Sequence, residues 1–264
     1  MRRSALRWLG FVLSGVVAVA LTVALFAPAS FVAAFLGSAT QGRVALVETA
    51  GTVWRGSGRI VLTDPAVVAD ATRRARVLPG VAVPGRVSWR VSVLPLFLGL
   101  VDASFRHDSM SAAVPINGSL IEVRVGRGSV SLPSVALGRL GSPWNTIKPA
   151  GALSMRWEGL TLKQGSFNGR AELELRDMSS ALTPVSPVGS YRVAVVGAGQ
   201  RADLRIETIN GPLRLSGSGT FDRRGGVRFT AEARADEAER ARLNAFLGLI
   251  GRRQGDHTVI KIGA

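Results

Sequence analysis

The most constraining feature of this sequence is an alternation of period two that runs through most of its length. Val87, Trp89, Val91 and Val93 alternate with Arg86, Ser88, Arg90 and Ser92. Ile121, Val123 and Val125 alternate with Glu122 and Arg124, and Leu153, Met155 and Trp157 with Ser154, Arg156 and Glu158. The pattern returns in Leu160/Leu162, Ala171–Leu175, Tyr191–Val195, Leu204/Ile206, Leu213/Leu215 and Val227–Ala231. Successive side chains on a strand point to opposite faces, so each run predicts a half-buried antiparallel strand. Between the runs stand Asn117-Gly118, Asn168-Gly169, Asn210-Gly211 and Gly225-Gly226. Such pairs adopt positive φ readily, so all four are expected at turns. No strand–helix–strand alternation is present, which argues against a doubly wound or α/β-barrel enzyme fold.

Two short helices are expected beside the strands. Asp64-Pro65 has the form of a cap and first turn, over a segment that is otherwise a long connecting loop. The second helix starts at Asp236, with Glu239 three residues on as in a capping box. Leu243, Phe246, Leu247 and Ile250 then follow helical spacing, and Gly251 ends it. So many apolar strand faces exceed what one or two helices cover. The expected fold is therefore mainly β: a curled antiparallel sheet, as a meander or roll, whose apolar face is either a filled core or an open trough.

Ahead of the strands, Trp8 to Phe26 is an apolar run without charge. At ~1.5 Å per helical residue it spans roughly the 30 Å hydrocarbon core. Arg2, Arg3 and Arg7 precede it, and positive flanks stay cytoplasmic, so the rest of the chain is expected on the far side. We read it as an uncleaved anchor; the rival is a signal peptide cut near Ala27-Pro28-Ala29. The expected organisation is a cytoplasmic tip and transmembrane anchor over 1–29, a juxtamembrane linker or Ser30-capped helix over 30–50, a periplasmic antiparallel β domain over 51–235, and a C-terminal helix and tail over 236–264. This makes the chain a single-pass membrane protein with its bulk translocated, which in a two-membrane bacterium means the inner membrane with that bulk in the periplasm.

Few residues are available for chemistry. The chain has no cysteine, which excludes disulfides, thiolate metal sites and thiol nucleophiles. His107 and His257 are the only histidines, and their neighbours Asp108 and Asp256 are expected on opposite strand faces rather than in dyads. No nucleotide, metal or nucleophile-elbow motif stands in a fitting context, so no catalytic residue, metal ligand or cofactor is assigned. The net charge is +15, carried almost entirely by arginine. The arginines are dispersed rather than clustered as in nucleic-acid readers, so nucleic acid is not an expected partner. Arg90, Arg124, Arg156 and Arg214 stand on polar strand faces and form a candidate basic stripe for anionic headgroups or an acidic partner. The alternative is a solvated face laced with cross-strand charge pairs.

Several segments carry a family resemblance. Gly51-Thr-Val-Trp54-Arg-Gly56-Ser-Gly58 resembles a G-T-[LV]-W-x-G pattern near the start of the periplasmic region of type II secretion system protein N. Gly85-Arg-Val-Ser-Trp89, then Leu94-Pro-Leu96 and Gly99, is similar to the strand and leucine-rich turn that follow it there. Leu182-Thr-Pro184, Pro187-Val-Gly189-Ser-Tyr191-Arg192 and Gly211-Pro-Leu213-Arg-Leu-Ser-Gly217-Ser-Gly219 continue the likeness in order, and the helix Leu243–Ile250 has a counterpart. The resemblance implies an accessory, non-enzymatic subunit of the inner-membrane platform of a machine that exports folded proteins across the outer membrane. Its partners would be other platform subunits. The family's β fold also looks similar to AsmA-like proteins, which implies as an alternative that phospholipid binds in the trough. Gly51, Trp54, Gly56, Trp89, Gly211, Leu213 and Gly217 are the motif positions expected to serve either the core or a partner contact.

Overall fold

The computed structural model describes residues 26–63, 80–136, 148–222 and 226–263, together with position 15. The expected anchor Trp8–Phe26 falls outside these residues, apart from positions 15 and 26. Among the described residues, no helix is long and apolar enough to cross a membrane. The helix or loop expected after Asp64 also lies outside the described residues.

A short helix comes first: α1 (Ser30–Ala39). Ser30 does not cap it; its N-cap is Ala29, with no side-chain hydrogen bond. Sixteen strands follow: β1 (Val44–Gly51), β2 (Arg55–Thr63), β3 (Gly80–Ala82), β4 (Val87–Val91), β5 (Leu100–His107), β6 (Val114–Ser119), β7 (Glu122–Val125), β8 (Gly128–Ala136), β9 (Pro149–Lys163), β10 (Ser166–Ser180), β11 (Gly189–Gly199), β12 (Arg201–Asn210), β13 (Leu213–Asp222), β14 (Gly226–Ala235), β15 (Arg252–Gln254) and β16 (His257–Ile262). A five-residue helix, α2 (Val93–Phe97), leads into β5, and α3 (Arg240–Ile250) follows β14.

All strands join one antiparallel sheet. Its path is β1-β2-β4-β5-β6-β7-β9-β10-β11-β12-β13-β14-β16-β15, with β3 on β2 and β8 on β9. Neighbours in sequence are nearly always neighbours in space, as a meander requires, and the sheet is not closed: β1 and β15 stand at its two ends. The long strand β9 joins two lobes. Its residues Leu160–Lys163 pair with β7, and its earlier residues pair with β8.

Register separates the two faces. Directly opposed residues share a face, so Met155, Leu173, Val193, Ile206, Gly217 and Ala231 form one apolar row from β9 to β14. One step along, Arg156, Glu172, Ala194, Arg205, Ser218 and Thr230 form a polar row on the other face. Bulges preserve this separation. Between Asn168/Arg170 of β10 and Thr161/Glu158 of β9, one extra residue sits on β9, so Trp157 and Leu160 face the same side. Asp177, at φ 50°, is the extra residue that keeps Leu175 and Met178 together, and Glu48, also at φ 50°, does the same for β1.

Two of the four expected turns are corrected. Asn117-Gly118 lies inside β6 and Asn168-Gly169 inside β10. The glycines are needed there for close approach. A Cβ on Gly118 would strike the Glu122 carbonyl, and one on Gly169 would lie 2.7 Å from Leu160, beside the β9 bulge. The β9–β10 turn falls instead at Gln164-Gly165, where φ is 44° and 82°, the paired positive angles of a two-residue hairpin. Asn210-Gly211 does form the β12–β13 turn. Gly226 opens β14, and Gly225 lies outside the described residues.

The core is divided. Under α3, Leu243, Phe246 and Leu247 bury against Met178, Val188, Tyr191, Leu213 and Ala233. A smaller cluster at the junction of the lobes holds Met110, Val114, Trp157 and Ala171, with Phe105 stacked on Trp157 at 6.3 Å between ring centroids. The expected capping box does not form. A 3₁₀ turn over Glu237–Glu239 precedes α3, and Asp236 spends its carboxylate on Arg214 at 2.7 Å.

Candidate interaction surfaces

The motif at Gly51–Gly58 is a clasp. Gly51 turns the chain at φ 88°, where a side chain would meet the Arg55 carbonyl. Thr52 N–H donates to the Arg55 carbonyl at 2.9 Å, and Arg55 N–H donates to Thr52 Oγ1 at 3.2 Å. The incoming chain is fastened to this turn. Ala29 N–H donates to the Gly51 carbonyl at 3.1 Å, and Val53 N–H donates to the Ala27 carbonyl at 2.9 Å. Trp89 completes the clasp: its Nε1–H donates to the Val53 carbonyl at 3.0 Å, and its ring lies over Gly56, where a Cβ would sit 2.5 Å from Cζ2. Val91 N–H donates to the Trp54 carbonyl at 2.7 Å. Gly51, Trp54, Gly56 and Trp89 are thus brought together. The junction cluster repeats the device: Trp157 covers Gly128 and donates Nε1–H to the Gly126 carbonyl at 2.8 Å.

Gly211, Leu213 and Gly217 lie far along the sheet from that clasp. Gly211 makes the β12–β13 turn at φ 114°, packed on Gly189. Leu213 is buried beneath α3, and its carbonyl accepts the Tyr191 hydroxyl at 3.0 Å. Burial raises the Tyr191 pKa well above the usual phenol value. Gly217 sits opposite Ile206 and Ala231, and a Cβ there would lie 2.5 Å from that of Ala231.

The four stripe arginines share the polar face but not a row. Arg90 faces Arg55 and Ser104. Arg124 faces Thr161 and grips Glu122 at 2.6 Å. Arg156 stands opposite Glu172, and Arg214 holds Asp236. The middle of the face is a lattice of both signs. Arg192 reaches Glu172 at 2.6 Å, with Glu174 and Glu207 each at 3.4 Å, and Arg176 reaches Glu174 at 2.5 Å. The hydrogen bond from Arg176 lowers the Glu174 pKa. The Arg192 pairs cross to β10 and β12, whereas Arg176–Glu174 runs along β10.

The two histidines stand on different strands, His107 ending β5 and His257 opening β16. His107 is buried, with Nδ1 2.7 Å from Ser109 Oγ. His257 does contact its neighbour, with Nδ1 3.0 Å from Asp256 Oδ1, against the expectation of opposite faces. Asp256 precedes the strand, in the turn at Gly255, where strict alternation does not hold. Among the described residues, no group of three or more His, Asp or Glu could hold a metal ion.

Sequence reasoning missed one surface. At the strand ends nearest the clasp, Leu94, Phe97, Leu98, Leu120 and Ile121 are exposed. The alternation placed Ile121 in a strand, whereas β7 begins at Glu122 and Ile121 stands in the turn. The doublet Leu120-Ile121, which breaks the period of two, was the available signal.

No curated protein and no solved structure matches the chain. Residues 42–260 match the sequence model of the type II secretion system (T2SS) protein N family. That match begins just before β1, takes in the clasp, the bulged strands and α3, and ends in β16, so it covers all of the sheet but the last residues of β16. This chain belongs to the type II secretion system protein N family.

Proposed function

We propose that this protein is an accessory component of the inner-membrane platform of a type II secretion system, and that it acts by protein–protein contact rather than by catalysis. The observation that carries this reading is the half-covered apolar face. Leu173, Val193, Ile206 and Phe229 are only partly buried, because α3 reaches one end of the face and the junction cluster only its middle. An apolar surface left in this state is a surface for association. Family membership supports the secretion role, and the uncharged run Trp8–Phe26 supports an anchor that holds the sheet on the periplasmic side. Cross-linking in intact membranes, followed by purification of the full chain in detergent, is expected to recover other platform subunits. Recovery of the chain alone from cells with a working machine would overturn the reading.

The same face supports a second reading, in which it holds phospholipid. Native mass spectrometry of the gently purified full chain separates the two. Lipid that survives desalting on the wild type, and is lost when Val193 and Ile206 become serine, favours lipid binding. A lipid-free mass favours the protein contact.

A further inference from the structure

One end of the sheet gathers exposed apolar side chains at successive turns. The segment from Val91 to Val101 contains no charged residue, and it presents Leu94, Phe97 and Leu98 outward from α2 and the turn after it. Leu120 N–H donates to the Gly99 carbonyl at 3.3 Å, which sets the β6–β7 turn, with exposed Leu120 and Ile121, beside that segment. Gln164 N–H donates to the Ile121 carbonyl at 3.3 Å, which adds the β9–β10 turn. In the other direction, Val91 is bonded to Trp54, and Val53 to Ala27. The row of turns is therefore continuous from residue 27 to residue 164.

That continuity identifies the occupant. The apolar run Trp8–Phe26 ends where the described chain is fastened to this same row of turns, and Phe26 is itself exposed there. A bilayer that receives the run is brought to this end of the sheet, where the Ala27 carbonyl is bonded to Val53. Behind the apolar tips stand exposed Arg55 and Arg90, opposite each other, and Arg124 and Lys163 on either side of Glu122. Apolar tips backed by cations match a bilayer surface, with acyl chains below and anionic headgroups above.

We infer that Leu94, Phe97, Leu98, Leu120 and Ile121 dip into the periplasmic leaflet beside the anchor and hold the strands end-on to the membrane. This inference rests on the anchor reading of Trp8–Phe26. Because the chain lacks cysteine, single replacements report without background. The full chain carrying Phe97→Cys, Leu98→Cys or Leu120→Cys is labelled with an environment-sensitive fluorophore. Glu237→Cys, at the opposite strand ends, is the control. Each is reconstituted in vesicles of phosphatidylethanolamine with a minor share of phosphatidylglycerol, some bearing nitroxide on the acyl chain near the headgroup.

The expected result is quenching by the nitroxide lipid at 97, 98 and 120 but not at 237, with aqueous iodide giving the reverse order. Iodide quenching at 97 and 120 equal to that at 237 would overturn the inference. So would labels shielded from both quenchers, which means that a protein or a second copy covers the tips. Leu94→Cys serves as an independent position should another variant melt below the wild type. An alkaline wash separates the two levels of the argument. Release of the chain from the vesicles removes the anchor reading and this inference together. Retention of the chain with water-accessible tips removes this inference alone.

Discussion

The two ends of the strands carry the same kinds of side chain and treat them in opposite ways. At one end Leu243, Phe246 and Leu247 of α3 are 0, 4 and 8% exposed; at the other Leu94, Phe97 and Leu98 are 78, 75 and 75% exposed. Hydrophobicity alone does not explain the difference. α3 runs for eleven residues, enough to lay a stripe at helical spacing across the apolar face. α2 has five residues, barely more than one turn, and no stripe of that length folds back over a sheet. One end is sealed by the chain itself. The other is left for whatever surrounds it.

The sharpest test of that contrast compares the same truncation at both ends. Leu243→Ala removes a fully buried side chain and is expected to destabilise by ~2–5 kcal/mol. Leu94→Ala removes an exposed one and is expected to stay within about 0.5 kcal/mol of wild type. Melting of the full chain in detergent measures both. Equal losses would break the comparison, because the tips would then belong to the core.

A smaller effect is expected at the clasp, which fastens the open end. Gly56→Val forces a side chain against the Trp89 ring and two backbone carbonyls, and should cost ~1–3 kcal/mol. Trp89→Phe keeps most of the ring but removes the hydrogen bond to the Val53 carbonyl, leaving an effect of about 1 kcal/mol. Hydrogen exchange distinguishes the clasp from a general loss of stability. Protection should fall at Ala29 and Val53 while the amides of α3 hold. A uniform fall across both ends would mean that the sheet responds as one unit.

Much of this contrast was legible in the sequence, and its limits have physical causes. The strands were legible because a half-buried sheet needs an unbroken period of two, and the seal because Leu243, Phe246, Leu247 and Ile250 keep helical spacing. Turn positions were less so. Asn-Gly reports a need for unusual φ or for close approach, and a hairpin corner is only one place where that arises. At Gly118 and Gly169 the need came from a neighbouring strand. The bulges at Glu48 and Asp177 left no pattern, since register is settled by pairing with a strand elsewhere in the chain. The capping box failed for a similar reason. Arg214, twenty-two residues away, competes for Asp236 and wins. For the candidate residues, the motif order pointed correctly to a family, but the exposure of Phe97 and Leu120 depends on what fails to cover them. The Leu120-Ile121 doublet marks a break in the alternation, but no local pattern says whether another element covers it.

Acid provides the smallest and most local test of the sealed end. The hydrogen bond from Arg214 lowers the Asp236 pKa from its ordinary 3.8, so between the folded and unfolded values the unfolded chain binds more protons. Stability from this pair is therefore present above pH 3.8 and is lost as the pH falls through the folded value. Asp236 stands immediately before α3, so the first consequence should be faster exchange in the opening turn of that helix. Both groups face solvent, so the effect should be small and should shrink further in high salt. Asp236→Asn should flatten the pH dependence and bring the neutral-pH exchange toward that of acidified wild type. The turn at Leu94–Leu98, with no titratable group between Arg90 and Asp102, should show no matching step. Exchange at the start of α3 that stays constant through this window would mean that the seal rests on Leu243 and its neighbours alone, with Arg214–Asp236 contributing nothing to it.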